Sequence, residues 1–141
     1  MPGILVGIDG SAHSQHALEW AAKEAALRHT SLTVLTVHQA VAGFWGGTLH
    51  YSGDESLTEK ARAAAQAETD KVLAALGGAL PASVTVKAAN GQPAEEILNE
   101  GVDADLIVLG SRGGGGFSRL LQGSVSAHVA EHAKVPVTIT P

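Results

Sequence analysis

The stretch LIVLGSRGGGGFSRLLQGSVS, Leu106 to Ser126, decides how this chain folds. Leu106-Ile107-Val108-Leu109 is apolar without alternation, the pattern of a strand covered on both faces. Gly110 ends that run, Gly113 to Gly116 form a turn, and Ser118 stands where it can cap a helix reaching about Ala133. Consecutive glycines weaken any helix or strand, because each loses much backbone freedom on folding. A strand that passes through such a turn into a helix is one unit of a parallel sheet packed beneath helices.

Four further apolar runs extend the pattern: Ile4 to Ile8, Leu32 to Val37, Val84 to Val86 and Val137 to Ile139. The third and fifth of the five runs are shorter and partly polar, which places them toward the sheet edges. Helical stretches lie between the runs. From Ser14 to Arg28, Leu18, Ala21, Ala22 and Ala25 repeat on one helical face. Ser56-Leu57-Thr58-Glu59 has the capping-box pattern, and an alanine-rich helix follows to about Leu76, where Gly77-Gly78 can end it. Pro93 suits the first turn of a helix running from Ala94 to Glu100. Strand and helix alternate throughout, so the expected class is α/β, an open five-stranded parallel sheet with helices on both faces, Rossmann-like, forming one domain over residues 1–141. Gln39 to Glu55 (QAVAGFWGGTLHYSGDE) fits no period and predicts a long loop carrying Phe44, Trp45 and Tyr51.

Composition narrows the function classes. The chain has 141 residues, 45% apolar and 16% charged, enough for an ordinary core. Its formal net charge of −5 offers no global basic field for nucleic acid or an anionic membrane. Cysteine is absent, which removes disulfides, thiolate metal sites and a cysteine nucleophile. No apolar run approaches the ~18 residues of a membrane helix. MPGILVGIDGS lacks the features of an export signal, so a cytoplasmic location is expected.

The glycine tract now has a chemical reading. In an open parallel sheet, ligands sit beyond the strand carboxyl ends where strand order reverses. A glycine-rich turn lets backbone N–H groups approach a phosphate unobstructed, and the next helix start adds a favourable dipole. Hydroxyls at Ser111, Ser118, Ser124 and Ser126, with Arg112 and Arg119, can add donors. A plain surface loop is the alternative. The tract holds no lysine, so it is not a P-loop, and it does not complete GxGxxG.

Gly110-x-x-Gly113, nine residues, then Gly123-Ser124 reproduces the G-x2-G-x9-G-[S/T] signature, and the chain resembles the universal stress protein family. VGIDGSAHSQHAL (Val6 to Leu18), ADLIVLGSRG and the closing VPVTI carry the resemblance along essentially the whole chain. It implies a sheet order of 3-2-1-4-5, with Asp9 and Gly110 at the carboxyl ends of the two strands flanking the reversal. In the family's nucleotide-binding branch, ATP occupies that crevice. Carried over, Gly7, Ile8, Asp9 and Val37 would contact adenine or ribose. Gly110, Ser111, Arg112, Gly113 and the turn to Gly116 would line the ribose and phosphate path. Gly123, Ser124 and Val125 would hold phosphates, with Ser126 adding a hydroxyl. A glycine inside a helix costs about 0.8–1 kcal/mol against alanine. Charge-assisted phosphate contacts of about 1.5–3 kcal/mol each outweigh that at Gly123.

Hydrolysis of ATP needs a placed water, usually a metal, and charge stabilisation at the γ-phosphate. Asp9 could serve as a base or an indirect Mg2+ ligand, or it could be a helix-entry carboxylate beside Ser11. No second acid stands at a metal spacing. The resulting expectation is an ATP-binding sensor, with slow or no turnover, whose bound state a protein partner reads. The alternatives are an interaction module independent of nucleotide, or a flavin-binding redox module using Phe44, Trp45 and Tyr51. His128 and His132, and His13 and His16, share helical faces, but zinc wants three or four protein ligands, so they read as surface histidines. The resemblance further implies a homodimer through the edge strand Val135 to Thr140, unless Pro136 and Pro141 blunt that edge.

Overall fold

A computed structural model describes residues 3–38, 42–45, 48–51, 55–111 and 124–141. In chain order the elements are β1 (Ile4–Ile8), α1 (Ala12–Arg28), β2 (Ser31–His38), β3 (Ala42–Trp45), β4 (Thr48–Tyr51), α2 (Glu55–Ala75), β5 (Ser83–Asn90), α3 (Pro93–Glu100), β6 (Leu106–Gly110), α4 (Ser124–His132) and β7 (Val137–Thr140). Five strands pair in parallel in the order β5-β2-β1-β6-β7, which is the 3-2-1-4-5 arrangement.

Side-chain alternation along the central strands divides the core in two. Ile4, Val6 and Ile8 of β1, Leu32 and Val34 of β2, and Leu106 and Val108 of β6 pack with α1 and α2. Leu5, Leu35, Ile107 and Leu109 point the other way, against Ile97 of α3 and Val129 of α4. Both faces are therefore covered, which is why these strands are apolar without interruption. Each such buried aliphatic contributes about 1.5–3 kcal/mol relative to exposure. The edge strand β5 differs, with Ser83, Thr85 and Lys87 exposed.

Alanine lets α1 lie close to the sheet: Ala17, Leu18, Ala21, Ala22 and Ala25 are fully buried. Ser11 caps its start, its hydroxyl accepting from the Ser14 N–H at 3.2 Å. His29 ends it in the left-handed region at φ 54°, where the N–H of Thr30 reaches Ala25 O at 3.0 Å. In α2, Thr69 is fully buried, and its hydroxyl is satisfied by donating to Ala65 O at 2.7 Å.

Three expectations need correction. Gln39 to Glu55 is not one long loop, because β3 and β4 form an antiparallel hairpin in which Ala42 faces Tyr51 and Trp45 faces Thr48. Only Gly46-Gly47 separate the two strands in sequence. The second helix begins at Glu55, so Ser56 lies within its first turn instead of capping it. The Glu59 carboxylate takes the Arg62 guanidinium at 2.6 Å. The third main strand is also longer than its apolar run, because all eight β5 residues pair with β2. The expected helix start at Ser118 lies outside the described residues. No helix among the described residues is long and apolar enough to cross a membrane.

Candidate functional site

The chain leaves β1 through α1 toward β2 and leaves β6 through α4 toward β7, in opposite directions across the sheet. A crevice is expected where two such connections diverge, at the carboxyl ends of β1 and β6. Strand register fixes what borders it. Ile8 pairs with Thr36, so Asp9 stands level with Val37 at the end of β2. Val6 pairs with Val108, so Ile8 stands level with Gly110. The start of α4, with Ser124, Val125 and Ser126, returns to this same end of the sheet.

Gly7 and Ile8 are buried within β1, Val37, Ser111 and Val125 are half-buried, and Asp9 and Ser124 are exposed. Ser126 is 6% exposed. Arg112, Gly113, Gly116 and Gly123 lie outside the described residues. The described part of the site thus has a carboxylate at its rim and serines at a helix start, while the side chains of Ile8 and Val37 pack into the two opposite halves of the core. That set leaves strand-end backbone for a ring and a helix N-terminus for an anion.

Asp9 is tied into the entry of α1. Its Oδ1 accepts from the Ser11 N–H at 3.0 Å, and its own N–H donates to Ser14 Oγ at 3.2 Å. Ser14 Oγ in turn donates to Ser11 O at 3.1 Å. Gly10 makes this tight turn feasible with φ +83°, a backbone conformation that side chains resist. The helix-entry role considered for Asp9 is therefore present, and its carboxylate still faces solvent at the crevice.

Two of the glycines have packing reasons. A Cβ at Gly7 would meet Leu109 Cδ2 at 2.9 Å and Ile97 Cδ1 at 3.0 Å, so its absence lets α3 settle on the sheet. At Gly110 a Cβ would stand 2.8 Å from His13 O and 3.2 Å from Ser14 N, in the backbone of the first turn of α1. Beside Gly110, Thr140 occupies the paired position on β7, and its carbonyl accepts from the Ser111 N–H at 2.8 Å. Thr140 Oγ1 and His13 Nδ1 are buried with no hydrogen-bond partner among the described residues. This end of the sheet therefore retains unmet polar capacity.

Glu68 is a neighbour that sequence reasoning missed. Burial, then the negative charge of Asp9, push its carboxyl above the ordinary glutamate range, with Lys71 opposing. No local pattern signals this, since only the packing of α2 brings Glu68 within the field of Asp9. The other miss, the β3–β4 hairpin, had a signal in Gly46-Gly47 flanked by Phe44-Trp45 and Thr48-Leu49. At the end of β2, His38 Nε2 lies 3.0 Å from Thr58 Oγ1 and links this strand to the first turn of α2.

Among the described residues, no group of three or more His, Asp or Glu is placed to hold a metal ion. A groove of about 460 Å³ opens at the opposite end of the sheet, lined by Ser31, Thr33, Ser83, Thr85 and the Lys87–Glu100 ion pair. It lies at the strand amino ends and is not the crevice described above.

Comparison with known proteins agrees with this architecture. A universal stress protein of Lactobacillus plantarum superposes with a TM-score of 0.77 at 25% identity, over 99% of this chain and 97% of the other. The universal stress protein of Archaeoglobus fulgidus in complex with dAMP gives 0.63 at 26% identity, over 100% and 98%. A universal stress protein in complex with cAMP gives 0.66 at 25% identity, over 99% and 95%. In sequence, a universal stress protein of Mycolicibacterium smegmatis is 33% identical over 138 residues, 97% of this chain and 47% of its own length. One from Mycobacterium tuberculosis is 33% identical over 151 residues, 99% of this chain and 48% of its own. The chain thus spans about half the length of these curated relatives. The sequence model of the Universal stress protein family matches residues 2–141. Matched almost end to end by that model, and a third identical to such relatives across nearly its whole length, the chain belongs to the universal stress protein family.

Proposed function

We propose that this chain binds an adenine nucleotide, ATP, in the crevice at the carboxyl ends of β1, β2 and β6. The observation that carries the reading is the position of the glycine signature. Gly110 closes β6 and Ser124 opens α4, so Gly-x2-Gly-x9-Gly-Ser spans the connection from strand to helix on the rim of the switch point. Adenine and ribose then meet Gly7, Ile8, Asp9 and Val37, largely through backbone. The phosphates meet Gly110, Ser111, Arg112, Gly113, Gly116, Gly123, Ser124, Val125 and Ser126. Members of the family in complex with dAMP and cAMP support an adenine ligand. Where Mg2+ accompanies the nucleotide, Asp9 is the carboxylate available to its water shell. Residues 1–141 act on this reading as one nucleotide-binding unit in the cytoplasm. It works as a sensor with slow or no hydrolysis, paired through β7 into a homodimer and read by a protein partner.

The test is chromatography of the small molecule released when freshly purified protein is denatured, followed by calorimetric titration of the emptied protein with ATP and Mg2+. Near-stoichiometric ATP is expected; ADP instead would indicate hydrolysis or ADP preference. The variant Gly113→Val should lose nucleotide and keep its melting temperature. An empty extract together with a flat titration overturns the proposal in favour of an interaction module.

A further inference from the structure

His128 and His132 stand four residues apart on α4, and both are exposed. Their imidazole rings stack with centroids 4.2 Å apart and planes 22° from parallel. His132 Nδ1 lies 2.9 Å from the carbonyl oxygen of His128. A carbonyl oxygen can only accept, so this Nδ1 carries the proton, and the lone pair of the neutral ring resides on Nε2. Second-sphere bonding of this type selects the tautomer and orients metal-binding histidines. We infer that His128 and His132 form a two-imidazole site for a divalent transition-metal ion, Cu(II) foremost, with water completing its coordination. The inference is independent of the nucleotide reading.

Metal chemistry and helix geometry agree on this. Imidazole nitrogens suit copper, nickel and zinc, and among divalent ions Cu(II) binds such donors most strongly. Zinc ordinarily takes three or four protein ligands, and this site offers two, whereas a tetragonal copper ion accepts two adjacent nitrogens and fills its other positions with water. Metal–nitrogen bonds of about 2.0–2.1 Å at a right angle bring the two nitrogens to roughly 2.9 Å. The rings stand with centroids 4.2 Å apart, and the soft Cβ–Cγ torsion of His128 lets its ring turn toward the ion while His132 keeps its bond to the His128 carbonyl. Four-residue spacing keeps both side chains on one face one turn apart, so the helix holds the second ligand ready once the first has bound. His132 also occupies the last turn of α4, where the negative end of the helix dipole favours a cation, and Glu131 beside it adds negative charge.

The experiment is titration of the full chain with Cu(II) in a non-coordinating buffer, followed by calorimetry and electron paramagnetic resonance. One copper per chain with hyperfine structure from two nitrogens is the expected result. His128→Ala and His132→Ala should each weaken binding about tenfold or more, because either change removes half of the chelate. His16→Ala, which disrupts the other histidine pair on α1, should titrate like wild type. Both α4 side chains are exposed, so circular dichroism of the variants should match the parent. No copper bound, or α4 variants that bind as tightly as wild type, would overturn the site.

Discussion

At Gly110 a single added methyl group would enter the backbone of α1, 2.8 Å from His13 O. Backbone yields less readily than a side-chain tip, so Gly110→Ala should lower stability by about 1–3 kcal/mol, read from urea unfolding. The same glycine begins the proposed nucleotide signature, yet the close approach of α1 already requires it. Gly7 is similar, since the need for space under Ile97 and Leu109 cannot be read from the string ILVGI. Glu68 gives a pH prediction. Its carboxyl is raised in the folded protein, first by burial and then by Asp9. The native state therefore binds this proton more tightly than the unfolded chain. Stability falls as pH rises from the ordinary glutamate value through the raised one. Glu68→Gln should be slightly more stable than wild type at neutral pH, by less than about 0.5 kcal/mol because the group is largely solvated, and the advantage should vanish in acid. An equal difference at all pH values would disprove the electrostatic cause.

Among the elements, α1 was the most legible, because an alanine and leucine stripe at helical spacing has no other economical use. Its cap, Ser11, stands three residues before the expected start at Ser14. Ser11→Ala removes the acceptor of the Ser14 N–H and should cost about 1 kcal/mol, visible as a drop in melting temperature of about 3 °C. The start of α2 was misplaced for a physical reason. A capping box is a local preference; with Ser56 as cap the helix would begin at Leu57, and it begins two residues earlier at Glu55, with Glu59 paired to Arg62. The hairpin itself was missed because four-residue strands carry too few side chains to establish a period.

On the scale of the whole molecule, the sheet ends in β5 and β7, and β7, which pairs only with β6 among the described residues, presents Ile139, 42% exposed. If two copies join through this edge, as proposed, Ile139→Glu should convert dimers to monomers in light scattering while leaving the melting curve two-state. Unchanged mass would relocate the interface. The sequence by itself determined the α/β class, the five parallel strands and the family. Each of those follows from short-range patterns: uninterrupted apolar runs, helical stripes between them, and a glycine signature with fixed spacing. Tertiary structure alone decided that Gly7 and Gly110 make room for α3 and α1, that Glu68 feels Asp9, and that Thr140 Oγ1 and His13 Nδ1 find no hydrogen-bond partner among the described residues. The reason is distance along the chain. Spacing encodes which residues share a face of one element, whereas contacts between residues a hundred positions apart depend on how closely the packed layers approach.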